Sequence, residues 1–413
     1  MITSRFKDEL MILLSTLMKR FVQVGTLTIL NAEGKPHVFK GTPGPEVTIQ
    51  LKDPKLYRSL FLNPELHAGE AYMDGTLTIE QGTIRDFLLL AELNGNNLRK
   101  HPLQSFLHGS LKRIRKLHQR NDTKSAKAHV HHHYDLSNEL YKLFLDKDLN
   151  YSCAYFVEPD DTIETAQQNK LRHIASKLDL KPGQRVLDIG CGWGGMALYL
   201  AAAADVEVLG VTLSTEQHAL AVQRAKERGL DKRVRFELMD YRDVKGSFDR
   251  IVSVGMFEHV GIIHYDEFFN HLRGLLKPDG VALLHSIGRK SGPGTTGAWI
   301  RKYIFPGGYS PALSEALASV ERSKLWVTDI EILRLHYAKT LRAWEERFQA
   351  NRAQITALMD ERFCRMWEFY LIVSELSFSH GSHMVFQMQL TKHRNTLPIT
   401  RDYIGKVEAK LKT

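Results

Sequence analysis

Hydrophobic and polar positions follow two different patterns along the chain. In residues 1–95, β-like runs at 22–30 and 47–51 are separated by residues 41–45 (GTPGP), whose glycines and prolines predict a break in the chain. An apolar stretch with helical spacing follows at 84–93. Short strands, turn signals and an occasional helix are typical of a small α+β domain, so we predict one here.

From residue 180 onwards, strand-like and helix-like segments alternate regularly. Strands that alternate with helices at this spacing predict a doubly wound parallel sheet. The expected fold class is therefore α/β, with a Rossmann-like sheet beside the smaller N-terminal α+β domain. The predicted strands lie at 185–189, 206–211, 234–238, 248–254, 281–286 and 383–391. The predicted helices lie at 193–204, 215–228 and 268–276.

The length and charge of the chain support this division. A chain of 413 residues exceeds the size of one ordinary core, and we predict an N-terminal domain at 1–120 and a larger domain at 121–413. Residues 1–130 carry 19 Lys or Arg and 12 acidic residues, and 99–127 hold nine Lys or Arg against one acid. Such a basic segment indicates an anionic partner, either phospholipid headgroups or nucleic acid, or else a solvated linker.

Several classes of protein are disfavoured by the composition. No apolar run approaches the roughly 20 residues that cross a bilayer, and no segment has the form of a signal peptide. The three cysteines are far apart, which disfavours a disulfide framework and a zinc site. The histidine-rich residues 129–133 lack a second cluster of ligands, so no metal is predicted. We expect a cytoplasmic protein.

A glycine-rich turn at 190–195 (GCGWGG) follows the first strand of the predicted sheet. Gly190 and Gly192 permit a tight turn and a close approach of a ligand to the backbone, and Gly195 lets the next helix pack close to the strand. The spacing G-x-G-x-x-G also fits a dinucleotide. Asp188, however, lies inside the end of the strand, which suits a methyltransferase, so the turn predicts S-adenosylmethionine as the cofactor.

The ends of the next two strands complete the predicted cofactor site. The second strand ends without the carboxylate that commonly holds a ribose, so Thr212 and Gln217 would supply neutral hydrogen bonds instead. The third strand leads to Asp240 and Tyr241. There a carboxylate would bond the adenine amino group and an aromatic ring would stack on the base.

Further motifs occur in order between residues 130 and 395. They are HYDL (133–136), YSCAYF (151–156), LDIGCGWGG (187–195), GVTLSTEQ (210–217), GMFEHVG (255–261), HSIG (285–288), YIFPG (303–307) and HYAKTLRAW (336–344). Together they resemble the cyclopropane-fatty-acyl-phospholipid synthase family with its mycolic acid cyclopropane synthase relatives. The resemblance implies transfer of a methylene group from S-adenosylmethionine to a cis double bond of a phospholipid acyl chain. It also implies that a bicarbonate ion in the active site is the base.

The resemblance assigns roles to particular residues. Glu258 follows the fourth strand and His285 ends the fifth, so both are expected at the carboxyl edge of the sheet, where ligands bind. The residues implied to be catalytic are Glu258, His285, Tyr337 and Cys153. The residues implied to bind bicarbonate are Cys153, Glu258, His285, Ile287 and Tyr337. The residues predicted to bind the cofactor are Tyr151, Ser152, Asp188, Gly190, Cys191, Gly192, Gly195, Thr212, Ser214, Gln217, Asp240 and Tyr241.

Alternatives are open within and beyond this family. Core packing would explain Tyr337 and Cys153, and Glu258 and His285 would then be ordinary residues near strand ends. A C-methyltransferase that makes methylene- or methyl-branched lipids is one alternative function, and a small-amine N-methyltransferase like the plant alkaloid enzymes is another. Nucleic-acid methylation is disfavoured because no aromatic stacking platform accompanies the basic segment. A non-catalytic lipid-binding protein is disfavoured because Glu258 and His285 are both present.

One position departs from the family pattern. Ser374 stands where many members have a cysteine in a late helix, and methyl transfer to an alkene needs no thiol nucleophile. We therefore expect activity without a covalent thiol step. The expected partners are an unsaturated phospholipid and, by peripheral association, an anionic membrane surface. Nucleic acid is not an expected partner, and the sequence leaves a homodimer open.

Overall fold

The computed structural model describes residues 4–99 and 137–411 of the chain. The predicted boundary at 120, the basic segment beyond Arg99, the histidine-rich residues and the HYDL motif lie outside this description. The described residues form two compact units that are discontinuous in sequence. The first contains 4–99, 295–304 and 344–381, and the second contains 137–294, 305–343 and 382–411.

A four-stranded sheet forms the centre of the first unit. Its strands are β1 (Val24–Leu30), β2 (Pro36–Lys40), β3 (Thr42–Leu51) and β4 (Leu77–Gln81). Its N-terminal helices are α1 (Ser4–Phe21), α2 (Lys55–Leu62), α3 (Pro64–Met73) and α4 (Ile84–Arg99). The strand order is β2-β1-β3-β4; β1 and β3 are parallel and the other pairs antiparallel. Alternate residues of β1 are buried against apolar side chains of α1, so the predicted α+β character is confirmed.

The predicted chain break at 41–45 is wrong, because β3 already begins at Thr42. Val24 pairs with Thr42 and Thr26 pairs with Glu46, so this stretch of β3 bulges out of the regular ladder. A bulge accommodates proline because the extra residues need not donate an N–H to the neighbouring strand. The glycines and prolines therefore mark an irregularity within the strand.

The second unit contains the sheet that the alternating pattern predicts. Its strands are β5 (Arg185–Ile189), β6 (Glu207–Thr212), β7 (Val234–Leu238), β8 (Phe248–Val254), β9 (Leu276–Arg289), β10 (Trp326–Ile332) and β11 (His383–Thr391). The order is β10-β11-β9-β8-β5-β6-β7, and β11 is antiparallel to both of its neighbours while the remaining adjacent pairs are parallel. The α/β Rossmann-like sheet is thus confirmed. The strand order reverses between β5 and β8, where such sheets bind ligands.

The remaining helices flank these strands or extend the first unit. They are α5 (Asn138–Phe144), α6 (Ile163–Leu178), α7 (Gly195–Ala203), α8 (Thr215–Glu227), α9 (Tyr265–Leu275), α10 (Ala298–Tyr303), α11 (Leu313–Arg322), α12 (His336–Ala350), α13 (Arg352–Leu358), α14 (Glu361–Ser379) and α15 (Asp402–Glu408). The helix predicted at 193–204 begins only at Gly195, because Gly194 has a positive φ of 81°. Across the part of the chain that is described, no helix combines the length and the apolar character needed to cross a membrane.

Helices from late in the sequence complete the first unit. The Tyr72 hydroxyl on α3 donates to the Glu368 carboxylate on α14 at 2.8 Å, across 296 positions of sequence. Gly69 of α3 lies against Trp299 of α10, where an added Cβ would come within 2.4 Å of the indole. The contacts of α3 therefore require segments that follow most of the second unit in the chain.

Candidate active site

The glycine-rich turn lies at the carboxyl end of β5 and leads into α7. Gly190, Gly192 and Gly194 have φ of 79°, 54° and 81°, conformations that favour glycine. A Cβ on Gly190 would lie 2.7 Å from the Cβ of Met256. Glycine is therefore needed here both for the backbone conformation and for the close approach to the loop that follows β8.

One pocket opens above this turn, where β5, β6 and β8 end. The predicted cofactor residues that line it are Tyr151, Ser152, Asp188, Gly190, Cys191, Gly192, Gly195, Thr212, Gln217, Asp240 and Tyr241. Ser214 is not among the lining residues. It is fully buried, and its hydroxyl accepts from the Gln217 N–H at 3.2 Å, which caps α8. The structure thus brings all the predicted cofactor residues except Ser214 to the walls of one pocket.

Two buried charged groups, Asp188 and Lys170, face this pocket. Burial raises the pKa of Asp188 to about 7, and the charge of Lys170 opposes that shift. The Asp188 Oδ2 has no hydrogen-bond partner among the residues described, so it is available to accept from a cationic ligand. Burial lowers the pKa of Lys170 to about 8, and its Nζ donates to Asn150 Oδ1 and Ser152 Oγ, both at 3.1 Å. Lys170 therefore fixes the wall that carries Ser152.

Lys170 is absent from the predicted site residues. It lies on α6 with His173 and Lys177, three and seven positions further on, and all three are buried. Such spacing places them on one helix face. Basic residues at helical spacing among apolar positions are the signal that could have revealed them, because buried charges require partners.

Fixed polar contacts organise the adenine end of the predicted site. Both carboxylate oxygens of Asp240 accept from Arg242, at 2.9 Å from Nε and 2.7 Å from Nη2. The Tyr241 ring packs edge-on against Phe268 with centroids 5.5 Å apart. Asp240 is therefore held in one orientation, and recognition of a base would use the lone pairs that Arg242 leaves.

Glu258 lies in a short 3₁₀ turn just after β8 and is 8% exposed. Its Oε1 accepts from the Ile287 N–H at 2.6 Å, whereas its Oε2 is buried without a partner in the described ranges. Burial raises the pKa of Glu258 to about 7, and the bond from Ile287 opposes this shift. The neighbouring residues Met256, His259 and Val260 line the cofactor pocket. Glu258 is therefore a protonatable group immediately behind the pocket wall.

His285 occupies the next strand, β9, and is 2% exposed. It pairs in register with Val254, which lines the pocket, and with Gln387 on β11. Burial, followed by the positive charges of Lys170 and Lys177, lowers the pKa of His285 to about 3. The imidazole is therefore neutral at physiological pH, with one donor and one acceptor nitrogen.

Cys153 and Tyr337 come from segments that are bonded to each other. The Ala154 N–H donates to Thr340 Oγ1 and the Phe156 N–H donates to His336 Nδ1, both at 3.0 Å. Tyr337 is buried beside these acceptors in the first turn of α12. Burial raises the pKa of the Cys153 thiol, so the group is a protonated thiol, and its Sγ donates to the Ala154 carbonyl at 3.3 Å.

The four predicted catalytic residues do not line the cofactor pocket themselves, but each except Tyr337 adjoins or pairs with a residue that does. The charge of Lys170 opposes the effect of burial on the pKa of Cys153 and adds to the effect of burial on the pKa of His285, so both groups are within electrostatic reach of the same ammonium. Chemically, the arrangement offers a protonatable carboxyl, a neutral imidazole and a protonated thiol behind a pocket that is suited to a cationic ligand.

Known proteins match most of the chain. The family described as mycolic acid cyclopropane synthetase matches residues 121–388. The chain is 42% identical over 323 residues to the cyclopropane-fatty-acyl-phospholipid synthase of Escherichia coli, covering 78% of this chain and 82% of the relative. It is 38% identical over 376 residues to a probable fatty acid methyltransferase of Pseudomonas putida, covering 87% and 92%. The crystal structure of the mycolic acid cyclopropane synthase CmaA1 complexed with SAH and CTAB has 36% identity and a TM-score of 0.61, covering 64% of this chain and 97% of that one.

Proposed function

This chain belongs to the mycolic acid cyclopropane synthetase family, and from that premise we propose that it is a cyclopropane-fatty-acyl-phospholipid synthase. In this role it would transfer a methylene group from S-adenosylmethionine to a cis double bond of a phospholipid acyl chain. The relative from Escherichia coli, which bears that name, supports the substrate class. The family match and the pocket at the carboxyl ends of β5, β6 and β8 support the methyltransferase chemistry.

The pocket fits S-adenosylmethionine, which supplies an electrophilic methyl group when bound. The partnerless Asp188 Oδ2 would accept from the methionine ammonium. Thr212 and Gln217, whose side chains are bonded to each other at 3.1 Å, would meet the ribose hydroxyls. Apolar side chains of the lining, including Met256 and Val260, would exclude water from the carbocation that develops on the acyl chain.

We propose that bicarbonate occupies the space beside Glu258 and supplies the base when bound. The residues proposed to hold it are Cys153, Glu258, His285, Ile287 and Tyr337. Glu258 fits this role because its Oε2 is buried without a partner in the described chain, and because a pKa near 7 lets it hold or release a proton. The Ile287 N–H already donates to Glu258 Oε1, so Ile287 would help to hold bicarbonate indirectly, by orienting that carboxyl.

The partnerless Glu258 carboxyl oxygen is the observation that carries this proposal. The test is lipid mass spectrometry on cells that lack cyclopropane lipids and express either the wild type or Glu258→Gln. We expect the wild type to add one CH₂ to monounsaturated chains and the product to resist mild hydrogenation. Glu258→Gln should make no ring while still binding S-adenosylhomocysteine. Loss of cofactor binding in the variant would contradict the assigned role of Glu258.

A C-methyltransferase that forms branched lipids is the second candidate, and the name of the Pseudomonas putida relative favours it. The same experiment separates the two functions. A methylene branch has the mass of the ring product but takes up hydrogen, and a saturated methyl branch is heavier than the ring product by two hydrogens. Either branched product would replace the cyclopropane proposal.

We propose that residues 1–120 associate with anionic membranes, and that this peripheral association takes place in the cytoplasm. Support comes from the basic segment, since each Lys or Arg near an anionic surface contributes about 1 kcal/mol. Changing four basic residues to glutamine should reduce co-sedimentation with anionic vesicles at low salt, and four changes on the second unit are the control. The test residues are Lys112, Arg113, Arg115 and Lys116, and the control residues are Lys226, Lys232, Arg233 and Arg235.

Analytical ultracentrifugation of the wild type distinguishes a homodimer from a monomer.

A further inference from the structure

A chain of buried polar side chains lies behind His285, on the side of the imidazole that carries Nδ1. Gln387 stands directly opposite His285 in the β9–β11 pairing, and its Nε2 lies 3.2 Å from His285 Nδ1. The other end of the same amide, Oε1, accepts from the Lys177 Nζ at 2.7 Å. Gln387 is 1% exposed, so water does not compete for these contacts.

The contact with Lys177 decides which way the Gln387 amide points. A lysine ammonium has donors and no acceptor, so the amide must present its oxygen to Lys177 and its NH₂ to His285. His285 Nδ1 must then be the acceptor. Because burial and neighbouring charges keep the ring neutral, its single proton resides on Nε2.

Lys177 is itself held by charged partners. Its Nζ pairs with the Glu331 carboxylate, which also bonds His173 Nε2 at 2.7 Å. His173 Nδ1 contacts Glu408 at 3.1 Å, and its ring stacks on Tyr155 with centroids 4.3 Å apart. Burial lowers the pKa of Lys177, and the Glu331 carboxylate opposes this shift by favouring the charged form, which is the donor that orients Gln387.

We propose that Gln387, oriented by Lys177 and Glu331, is a positioning residue that locks His285 in the Nε2–H tautomer. The geometry leaves Nε2–H as the donor that His285 offers to an anion. This part of the inference rests on the proposed function, in which His285 bonds bicarbonate. The tautomer itself does not depend on that function, and it is measured separately.

The test is NMR on protein labelled with ¹⁵N at histidine, where protonated and unprotonated ring nitrogens resonate in separate regions. The chain has 19 histidines, so the signals of His285 are assigned by their loss in His285→Gln. We expect wild-type His285 to show an unprotonated Nδ1 and a protonated Nε2. A protonated Nδ1 in the wild type would overturn the proposal.

Two variants probe the role of Gln387. Gln387→Met removes the donor at similar volume, so both tautomers should be populated. Gln387→Glu offers an acceptor to the ring, so Nδ1 should gain a proton. In both variants kcat for the lipid product should fall about 10–100-fold, as for other supporting residues that orient an active histidine, while KM for S-adenosylmethionine is unchanged.

Gln389→Met is the matched control. Gln389 is equally buried on β11, and its side chain bonds Thr328, Tyr403 and the Lys177 carbonyl without touching His285. This variant should keep the wild-type tautomer and most of the turnover. Gln389→Met could lower kcat as much as Gln387→Met does, even though His285 keeps the wild-type tautomer in Gln389→Met. The loss of turnover would then reflect packing, and the positioning role of Gln387 would be refuted.

The remaining outcomes separate the positioning role from the proposed function. An unchanged tautomer in Gln387→Met, or an altered tautomer with unchanged kcat, refutes the positioning role. If the wild type makes no lipid product but its tautomer follows Gln387 as expected, the proposed function fails and the locking of His285 by Gln387 stands. Melting curves of all variants identify any that have lost the fold, and Gln387→Glu keeps the test informative if Gln387→Met is among them.

Discussion

Replacing Glu258 by glutamine removes a buried ionisable group at nearly constant size. Burial raises the pKa of Glu258 from 4.5 to about 7, so the folded protein keeps a proton that the unfolded chain releases between these pH values. The stability associated with the protonated group is therefore fully present below about pH 4.5 and is lost as the pH rises through 7. At about 1.4 kcal/mol per pKa unit, the loss reaches about 3 kcal/mol. The glutamine side chain in Glu258→Gln does not titrate, so the variant avoids this loss of stability.

Urea unfolding at a mildly acidic and a mildly alkaline pH measures this effect. Between about pH 5 and pH 8, the free energy of unfolding of the wild type should fall about 2–3 kcal/mol further than that of Glu258→Gln. Glu207→Gln, at an exposed position on β6, should follow the wild type. Parallel pH dependences for the wild type and Glu258→Gln would refute the argument that burial holds the proton on Glu258.

The cofactor pocket and the late helix give three further expectations. Gly190→Ala should weaken S-adenosylhomocysteine binding in calorimetry at least about 10-fold, since its Cβ would clash with Met256. Gly183→Ala, at a similar φ of 76° but with nothing within 4 Å, should bind normally, and equal losses would contradict the clash. Asp188→Asn should weaken the same binding about 10–100-fold, because a hydrogen bond to a charged group contributes about 1.5–3 kcal/mol; unchanged affinity would remove Asp188 from the site. Ser374→Ala should keep full turnover in the lipid assay, and a large loss would show that this position takes part.

The strands whose ends form the pocket could be predicted, because the residue pattern that indicates each of them lies within the strand itself. β5, β7 and β8 coincide with the predicted runs. β5 and β8 are covered on both faces and need nearly continuous apolar side chains, whereas β7 buries alternate residues, Val234 and Phe236. β10 is different. It is an edge strand whose residues are mostly half-buried, with Asp329 and Glu331 within it. Its place in the sheet comes from pairing with β11, which no pattern within residues 326–332 specifies.

The candidate site likewise contains residues that local sequence patterns predict and residues that they do not. The glycine turn was predictable because its backbone conformation favours glycine at three closely spaced positions, Gly190, Gly192 and Gly194. The helical spacing of Lys170 with His173 and Lys177 marks a buried basic face but not its partners, and nothing in the sequence marks Gln387, since the contacts of both residues come from other segments. The contact between Gln387 and His285 follows from the register of β11 on β9, and a shift of one residue would place that side chain on the other face of the sheet.

The late helices of the first unit also affect how the chain folds as it is made. At about 5–20 residues per second, α14 follows α3 from the ribosome by roughly 15–60 s. During that interval Gly69 and Tyr72 lack the partners that α10 and α14 bring. The region around α3 is thus synthesised well before the segments that complete it. A chain that stops before residue 361 would leave this surface uncovered and become a substrate for chaperones and proteases.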